Sequence, residues 1–294
     1  MLPPVVLDFD GSVGPLPEAT VLDFRIWQER LRFACSMRTY REFARAAYHL
    51  LPAAHGPVFL GSGDFHHLSH ALIERLRSER MFTVVVLDNH PDNMRFPFGI
   101  HCGSWVRRVA ALGCVSHVHV LGITSTDVGG THAWENYFTP LLRGKLTNWC
   151  IGVDVGWAKR LGLGARFLAF DTVAELLDRF AETHRHEQTP TYLTIDKDVL
   201  NVDVAHTNWD QGLMSEDEML GAIALFHGRL MGCDVTGEVS THRYTSLLKR
   251  CLNAMDRQPF VGSEQVARWQ GQQHALNLRL LAALQACDPL SQRR

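Results

Sequence analysis

Two short segments of the chain place carboxylates, in one case together with an imidazole, at a spacing suited to metal binding. In the first, Asp88, His90 and Asp92 stand at alternate positions directly after the apolar run Phe82–Leu87. Alternate residues of an extended segment point the same way, so these three side chains are expected to face one spot. Two carboxylates and an imidazole suit Mn²⁺, Fe²⁺ or Zn²⁺. The segment therefore predicts a metal site at the end of a buried strand.

The second segment places Asp196 and Asp198 after another short apolar run, residues 192–195. Two buried carboxylates at a strand end are costly unless a cation, a basic partner or solvent compensates them. Since both acidic segments follow strands of the same character, a metal shared between them is the favoured interpretation.

A third polar segment comes earlier in the chain. A strand over residues 58–60 is followed by a glycine-rich turn and then by a helical pattern over residues 68–76. Glycine lets the backbone turn sharply, so the polar residues after it fall at the helix start, on the same sheet edge. Asp64, His66 and His67 are all possible ligands at this position.

The elements that must position these side chains alternate between strand and helix patterns. A β-branched run such as residues 82–87 is typical of a strand covered on both faces, and open α/β sheets place their sites beyond the carboxyl ends of such strands. The chain is expected to form one domain, residues 1–294, with a three-layer α/β/α architecture and a mostly parallel central sheet. Further strands are predicted over residues 116–121 and 150–153, and further helices over residues 104–112, 174–184 and 262–286 and from the capping-box segment at Ser215.

His117 and His119 share one face of the predicted strand over residues 116–121. No acidic residue accompanies them in that segment, so they are interpreted as edge or solvent-facing residues rather than metal ligands.

Composition favours an intracellular globular enzyme. The 294 residues are 46% apolar, enough for a large core. The net charge of −2 gives no reason to expect a nucleic-acid partner. Seven cysteines without a C-x-x-C pair suggest reduced thiols in the cytoplasm. No signal peptide or membrane-spanning stretch is predicted, so neither secretion nor a membrane partner is expected.

The order of these polar segments resembles that of the ureohydrolases, the family of arginase, agmatinase and formimidoylglutamase. The resemblance extends from about Val58 to Glu238. It implies an arginase-like fold that holds two Mn²⁺ ions per chain. The ligands it implies are His66, Asp88, His90, Asp92, Asp196 and Asp198.

The first of these segments departs from the family pattern. Phe65 stands where the family has its histidine, so a one-residue bulge is needed to bring His66 into line. Without such a bulge, either Asp64 or His67 would bind instead, or one of the two metal sites would be weak.

Two further roles follow from the resemblance. His101, in the segment of residues 99–103, matches a histidine that relays protons. Glu238, at the end of a late strand, matches a glutamate that holds the guanidinium group of the substrate. The resemblance therefore implies hydrolysis of a carbon–nitrogen bond in a small linear guanidino or amidino compound by a cytoplasmic enzyme that forms a homo-oligomer.

Three alternatives remain open on the sequence alone. Asp8 and Asp10 resemble the D-x-D-G-[ST] opening of haloacid-dehalogenase-type phosphatases, in which the first Asp is the nucleophile and Mg²⁺ binds between the two. The imperfect motifs are also compatible with a non-catalytic metal-binding arginase-like protein. Deacetylase chemistry on the same architecture would use one Zn²⁺ and a tyrosine.

Overall fold

The computed structural model describes residues 2–76, 80–247, 249–250 and 262–287. Within this part of the chain there are eleven strands, and two of them, β3 and β6, form a separate short sheet. They are β1 Val5–Asp8, β2 Thr20–Asp23, β3 Ala34–Cys35, β4 Val58–Phe59, β5 Phe82–Leu87, β6 Ile100–His101, β7 Val115–Ile123, β8 Leu146–Ile151, β9 Phe167–Phe170, β10 Thr191–Asp196 and β11 Leu230–Thr236.

The α-helices of the described residues range from a single turn to a helix of 24 residues. They are α1 Gln28–Leu31, α2 Met37–Leu50, α3 Ser69–Leu76, α4 Val106–Val109, α5 Phe138–Leu142, α6 Gly156–Arg160, α7 Val173–His184, α8 Glu216–Ala224 and α9 Ser263–Ala286. No described helix is long and apolar enough to cross a membrane.

Nine of the strands form one sheet in the order β2-β1-β4-β11-β10-β5-β7-β8-β9. Every neighbouring pair in it is parallel. Because parallel strands all point the same way, the carboxyl ends of β4, β5, β10 and β11 lie along one edge. That edge carries the polar segments singled out in the sequence.

The apolar core lies in two parts, one on each face of the sheet. Val84 and Val86 of β5 belong to one part, and Val85 and Leu87 belong to the other. Helices α2 and α3 cover the first face, whereas α7, α8 and α9 cover the second. The predicted α/β/α architecture is therefore confirmed, and the continuous apolar run of β5 reflects burial on both sides.

Strand register brings the two acidic segments together. Leu87 of β5 pairs with Ile195 of the neighbouring β10. The residues that follow these partners, Asp88 and Asp196, are therefore adjacent across the sheet edge, although they are far apart in sequence.

Several predicted elements differ from the structure. Strand β8 begins at Leu146, four residues before the start predicted at residue 150. In place of the helix predicted over residues 104–112, the structure has a 3-10 turn, Cys102–Ser104, followed by the single helical turn α4. The interpretation of His119 as an edge or solvent residue is wrong. Strand β7 lies inside the sheet, where His119 is buried and its Nδ1 accepts a hydrogen bond from Trp149 at 3.2 Å.

Candidate metal centre

His66 reaches the sheet edge from a 3-10 helix, Gly63–Leu68, rather than from a bulge. Its Nδ1 lies 3.1 Å from Asp88 Oδ2, 3.2 Å from Asp92 Oδ2 and 3.3 Å from Asp196 Oδ2. Its Nε2 lies 3.0 Å from the hydroxyl of Thr194. One ring nitrogen of a buried histidine thus faces three carboxylates.

Neither of the two alternative ligands of that segment joins the carboxylates around His66. Asp64 Oδ2 accepts a hydrogen bond from Arg32 Nε at 2.7 Å. His67 is fully buried, and neither of its ring nitrogens finds a hydrogen-bond partner in the described part of the chain. Of the three candidates, the structure brings His66 to the other predicted ligands.

His90 forms a second cluster beside the first. Its Nδ1 lies 3.0 Å from Asp198 Oδ2 and 3.6 Å from Asp88 Oδ1. The two oxygens of Asp88 therefore face different histidines, Oδ2 towards His66 and Oδ1 towards His90. A carboxylate placed in this way is suited to bridge two neighbouring cations.

Hydrogen bonds on the outer side of each imidazole define its tautomer. Thr194 Oγ1 donates to Asp234 at 2.7 Å, so it accepts from His66 Nε2. The Nε2 of His90 faces the Asp210 carboxylate at 2.9 Å and therefore carries a proton. When a cation displaces the remaining proton, the Nδ1 lone pair of each ring faces its carboxylate cluster and is available to bind that cation.

The buried carboxylates of the two clusters repel one another, so positive charge placed between them would stabilise their ionised forms. Burial, followed by the repulsion of Asp88, raises the pKa of Asp92 to about 7. Burial and then Asp196 raise the pKa of Asp198 well above its ordinary value. Burial lowers the pKa of His90, but the neighbouring carboxylates, Asp198 first, more than reverse this and raise it well above 6.5.

These donors fit a pair of divalent cations. Asp88 Oδ2 is buried and makes no hydrogen bond to any described residue. Carboxylate oxygens and imidazole nitrogens are the donors that Mn²⁺ takes readily. The backbone of Asp92 is held at a positive φ of 46°, which is rare for a residue other than glycine and recurs where a side chain must be aimed at a site. Its Oδ2 also accepts a hydrogen bond from Trp105 Nε1 at 2.5 Å.

Both clusters open into one cavity of about 740 Å³. Beyond the proposed ligands its wall carries acidic and aromatic side chains, and among the residues that the structure describes Arg95 is the one arginine or lysine that lines it. The acidic residues are Asp127, Glu135 and Asp210, and the aromatic residues are Phe33, Phe96, Trp134 and Trp209.

Several solved structures share this architecture over most of the chain. Proclavaminate amidino hydrolase from Streptomyces clavuligerus matches with a TM-score of 0.51 at 16% identity, covering 96% of this chain and 92% of that chain. A hypothetical agmatinase from Burkholderia thailandensis matches with a TM-score of 0.50 at 15% identity, covering 98% and 88%. A variant of an arginase-like protein from T. brucei, with four substitutions, matches with a TM-score of 0.52 at 15% identity, covering 97% and 79%. The fold is that of the arginase-like hydrolases.

The similarity of this chain to known proteins is weaker in sequence than in structure. No family model matches it. A protein of Thermotoga maritima, described as uncharacterized, is 28% identical over 190 residues, which are 64% of this chain and 60% of that protein. The match thus covers less than two thirds of the relative's length.

His101 lies on the wall of the cavity, as the sequence resemblance implied. Its Nδ1 accepts a hydrogen bond from the backbone N–H of Gly103 at 2.9 Å. Phe96 packs edge-on against the ring. Burial lowers the pKa of His101 to about 4, so the ring is neutral near pH 7 and carries its proton on Nε2.

Glu238 does not reach this cavity, which corrects the position expected from the resemblance. Its carboxylate is fully buried, lies 2.5 Å from Lys197 Nζ and accepts a hydrogen bond from Asn277 at 2.7 Å. Lys197 stands between Asp196 and Asp198 in sequence, so Glu238 pairs with a lysine of the second acidic segment and does not face the cavity.

Asp8 and Asp10 are held by basic side chains rather than arranged around a phosphate site. Asp8 pairs with Arg25 at 2.5 Å. Asp10 lies 3.4 Å from Arg32 and accepts a hydrogen bond from Ser240 at 2.6 Å. Neither lines the cavity beside the His66 and His90 clusters. These contacts argue against the phosphatase alternative, which depended on Asp8 and Asp10 as the nucleophile and the Mg²⁺-binding pair.

Asp210 contacts the proposed ligand His90 directly, and no pattern in the sequence predicts this contact. Asp210 is an isolated acid in the loop that follows β10, and no spacing in the sequence relates it to His90. Only the folded loop brings the two together.

Proposed function

We propose that this protein is a binuclear metal-dependent hydrolase that cleaves a carbon–nitrogen bond of a small linear guanidino or amidino compound. The observation that carries the proposal is the pair of clusters joined by Asp88. His66 with Asp88 and Asp196 forms one group, and Asp88 with His90 and Asp198 forms the other. Both stand at the carboxyl edge of an arginase-like sheet, where such folds place their active sites.

The proposed cofactor is two Mn²⁺ ions per chain. His66, Asp88, Asp92 and Asp196 would hold one ion, and Asp88, His90 and Asp198 would hold the other. A pair of divalent cations held by these residues would lower the pKa of a water molecule towards neutrality, which would supply a nucleophile for the amidine carbon.

The charge of the cavity wall supports a cationic substrate. Asp127, Glu135 and Asp210 contribute carboxylates, against which Arg95 contributes one cation. The guanidinium of Arg95 already lies over the ring of Phe138, and its Nε donates to Asn136 O at 3.1 Å. Amidines and guanidines are cations near neutral pH, so an acidic and aromatic wall favours their binding.

We assign the proton transfer to His101. The departing nitrogen must be protonated, and the attacking water is the source of that proton. Because His101 lies on the cavity wall and is neutral near pH 7, it would relay the proton from the water to the departing nitrogen rather than donate one that it already holds. His101→Asn is expected to lower kcat by 10² to 10⁴-fold, in the usual range for loss of a general acid, with little change in metal content.

A test begins with elemental analysis of protein purified without chelator, comparing wild type with Asp88→Ala and Asp8→Ala. Wild type is expected to carry about two Mn²⁺ per chain. Asp88→Ala is expected to lose both ions because its carboxylate faces both histidines, whereas Asp8→Ala keeps them, because Asp8 contacts Arg25 rather than the clusters. Retention of both ions by Asp88→Ala would show that the clusters are not the metal site.

The activity is then tested with a panel of guanidino and amidino compounds, following urea or ammonia release. Chelation is expected to abolish release, and added Mn²⁺ to restore it.

A second candidate is a non-catalytic metal-binding protein of the same fold. It is favoured by one observation, the pairing of Glu238 with Lys197 instead of its presence in the cavity. Two bound ions without release from any member of the panel would support it.

The setting of the protein is part of the same proposal. None of the six described cysteines forms a disulfide, which agrees with the proposed reducing cytoplasm. A single domain and a homo-oligomer stay predictions, as does the lack of nucleic-acid and membrane partners.

A further inference from the structure

The loop after β10 folds back over the second cluster and is fastened there through Asn89. The Nδ2 of Asn89 donates to the backbone oxygen of Asp210 at 3.0 Å and to Asp210 Oδ2 at 3.3 Å. Asn89 itself is buried, and its Oδ1 accepts hydrogen bonds from the backbone and the hydroxyl of Thr124. Its backbone N–H donates to Asp198 Oδ1 at 3.1 Å. The Asp210 carboxylate is thus tied to a rigid part of the site.

The other oxygen of this carboxylate lies against His90. Asp210 Oδ1 is 2.9 Å from His90 Nε2, on the opposite side of the ring from Asp88 and Asp198. A carboxylate that accepts a proton-bearing nitrogen of a ligand histidine fixes both the tautomer and the orientation of the ring.

We propose that Asp210 is a positioning residue that holds His90 with its Nδ1 directed at the second metal ion. The inference rests on the proposed function, since it presupposes that His90 is a ligand. It adds a residue outside the six ligands, and it assigns that residue to one of the two ions only.

The selectivity follows from a difference between the two histidines. The outer nitrogen of His66 is bound by the neutral hydroxyl of Thr194, which in turn donates to the buried Asp234. The outer nitrogen of His90 is bound by a carboxylate whose side chain is 66% exposed. Asp210 can therefore be replaced without opening the core, and its replacement acts on the His90 cluster and leaves the His66 cluster intact.

The experiment is titration of metal-free protein with Mn²⁺, followed by calorimetry and by the electron paramagnetic resonance of free Mn²⁺. Asp210→Ala is expected to lower the affinity for one of the two Mn²⁺ ions by about 10 to 100-fold, which is the usual effect of removing a hydrogen-bond partner of a ligand histidine. The affinity for the other ion is expected to stay unchanged. Asp210→Glu is expected to recover part of the loss. His90→Ala is expected to lower the affinity for the same ion. The double variant His90→Ala/Asp210→Ala is expected to bind that ion about as weakly as His90→Ala alone, because Asp210 acts through His90.

Asp203→Ala is the matched control. Asp203 lies at an exposed position of the same loop, and its substitution removes the same charge. Its hydrogen bonds to Asn201 and to Gln272 of α9 both run through its backbone. Its Mn²⁺ binding is expected to equal that of wild type. Equal weakening by Asp203→Ala and Asp210→Ala would mean that only the net charge of the loop matters, which would overturn the assignment.

Two other outcomes would also overturn it, and they are distinguishable. If wild type and Asp210→Ala both bind two ions with the same affinity, the role of Asp210 fails and the proposed function stands. This includes the case in which Asp210→Ala raises only the KM for a cationic substrate, which would make Asp210 a substrate-binding residue. If wild type itself binds no Mn²⁺, the proposed function fails together with the inference.

Discussion

Lys197 is a buried cation in the middle of the D-x-D segment. Its Nζ lies 2.5 Å from Glu238 and donates to Asn277 Oδ1 at 3.1 Å. Burial lowers the pKa of Lys197 and raises that of Glu238, and each charge partly offsets the shift of the other. Lys197 directly follows β10, and Glu238 lies two residues after the end of β11, so the pair holds together two neighbouring strand ends next to the proposed ligand Asp196.

Breaking this pair from one side is expected to destabilise the fold strongly. Lys197→Met should lower the free energy of unfolding by about 3 to 5 kcal/mol, because it leaves the Glu238 carboxylate buried without its cation. The double variant Lys197→Met/Glu238→Gln should recover much of that loss. Urea unfolding of the two single variants and the double variant gives the coupling energy.

The same variants decide between the two roles of Glu238. If Glu238→Gln leaves the free energy of unfolding unchanged and instead raises KM for guanidino compounds, the glutamate serves the substrate, as the resemblance implied. A stability loss with unchanged KM supports the ion pair seen here.

At the scale of elements, local signals near strand ends and helix starts were readable from the sequence. Strand β5 and the capping box of α8 were predicted and are confirmed: Ser215 Oγ accepts from the backbone N–H of Glu218, and the Glu218 side chain accepts from the backbone N–H of Ser215. The 3-10 helix of residues 63–68 was not predicted, because its conformation depends on contacts made by distant residues, such as Arg32 with Asp64.

The capping box supplies a prediction at this scale. Ser215→Ala should lower the free energy of unfolding by about 1 kcal/mol, because the backbone N–H of Glu218 loses its acceptor at the start of α8. Chemical denaturation measures the loss. Thr241→Ala, at an exposed position outside any described helix or strand, is the control and should be close to neutral. A loss for Ser215→Ala no larger than that of the control would mean that the cap contributes nothing to stability.

At the scale of the whole molecule, buried neutral histidines are expected to make the fold sensitive to acid. His70 Nδ1 is hydrogen-bonded to the hydroxyl of Tyr40, and burial lowers the pKa of His70 to about 4. Burial likewise lowers the pKa of His119 well below its ordinary value. The unfolded chain takes up these protons near pH 6.5, so this part of the stability is present above that pH and is lost as the pH falls towards the folded pKa.

For His70, a fall of the pKa from 6.5 to about 4 corresponds to on the order of 3 kcal/mol, of which about 2 kcal/mol is lost between about pH 7.5 and about pH 5. Urea unfolding at these two pH values, with chelator present throughout, measures it. His70→Gln should lose that share of the pH dependence, whereas His186→Gln, at an exposed position, should keep it. An unchanged pH dependence in His70→Gln would show that His70 is not held neutral by the fold.

The sequence by itself determined the chemical character of the site and the class of the fold. Asp88, His90 and Asp92 were recognisable because their alternate spacing and the apolar run before them are local properties of the chain. The parallel α/β architecture followed from the alternation of strand and helix patterns, which is also local.

Only the tertiary structure decided which residues meet. Strand order and register place Asp196 beside Asp88, the 3-10 turn selects His66 over Asp64 and His67, and a returning loop brings Asp210 to His90. The same folding directs Glu238 to Lys197 and away from the cavity. Contacts between segments distant in sequence depend on the packing of the whole chain, and no local spacing encodes them.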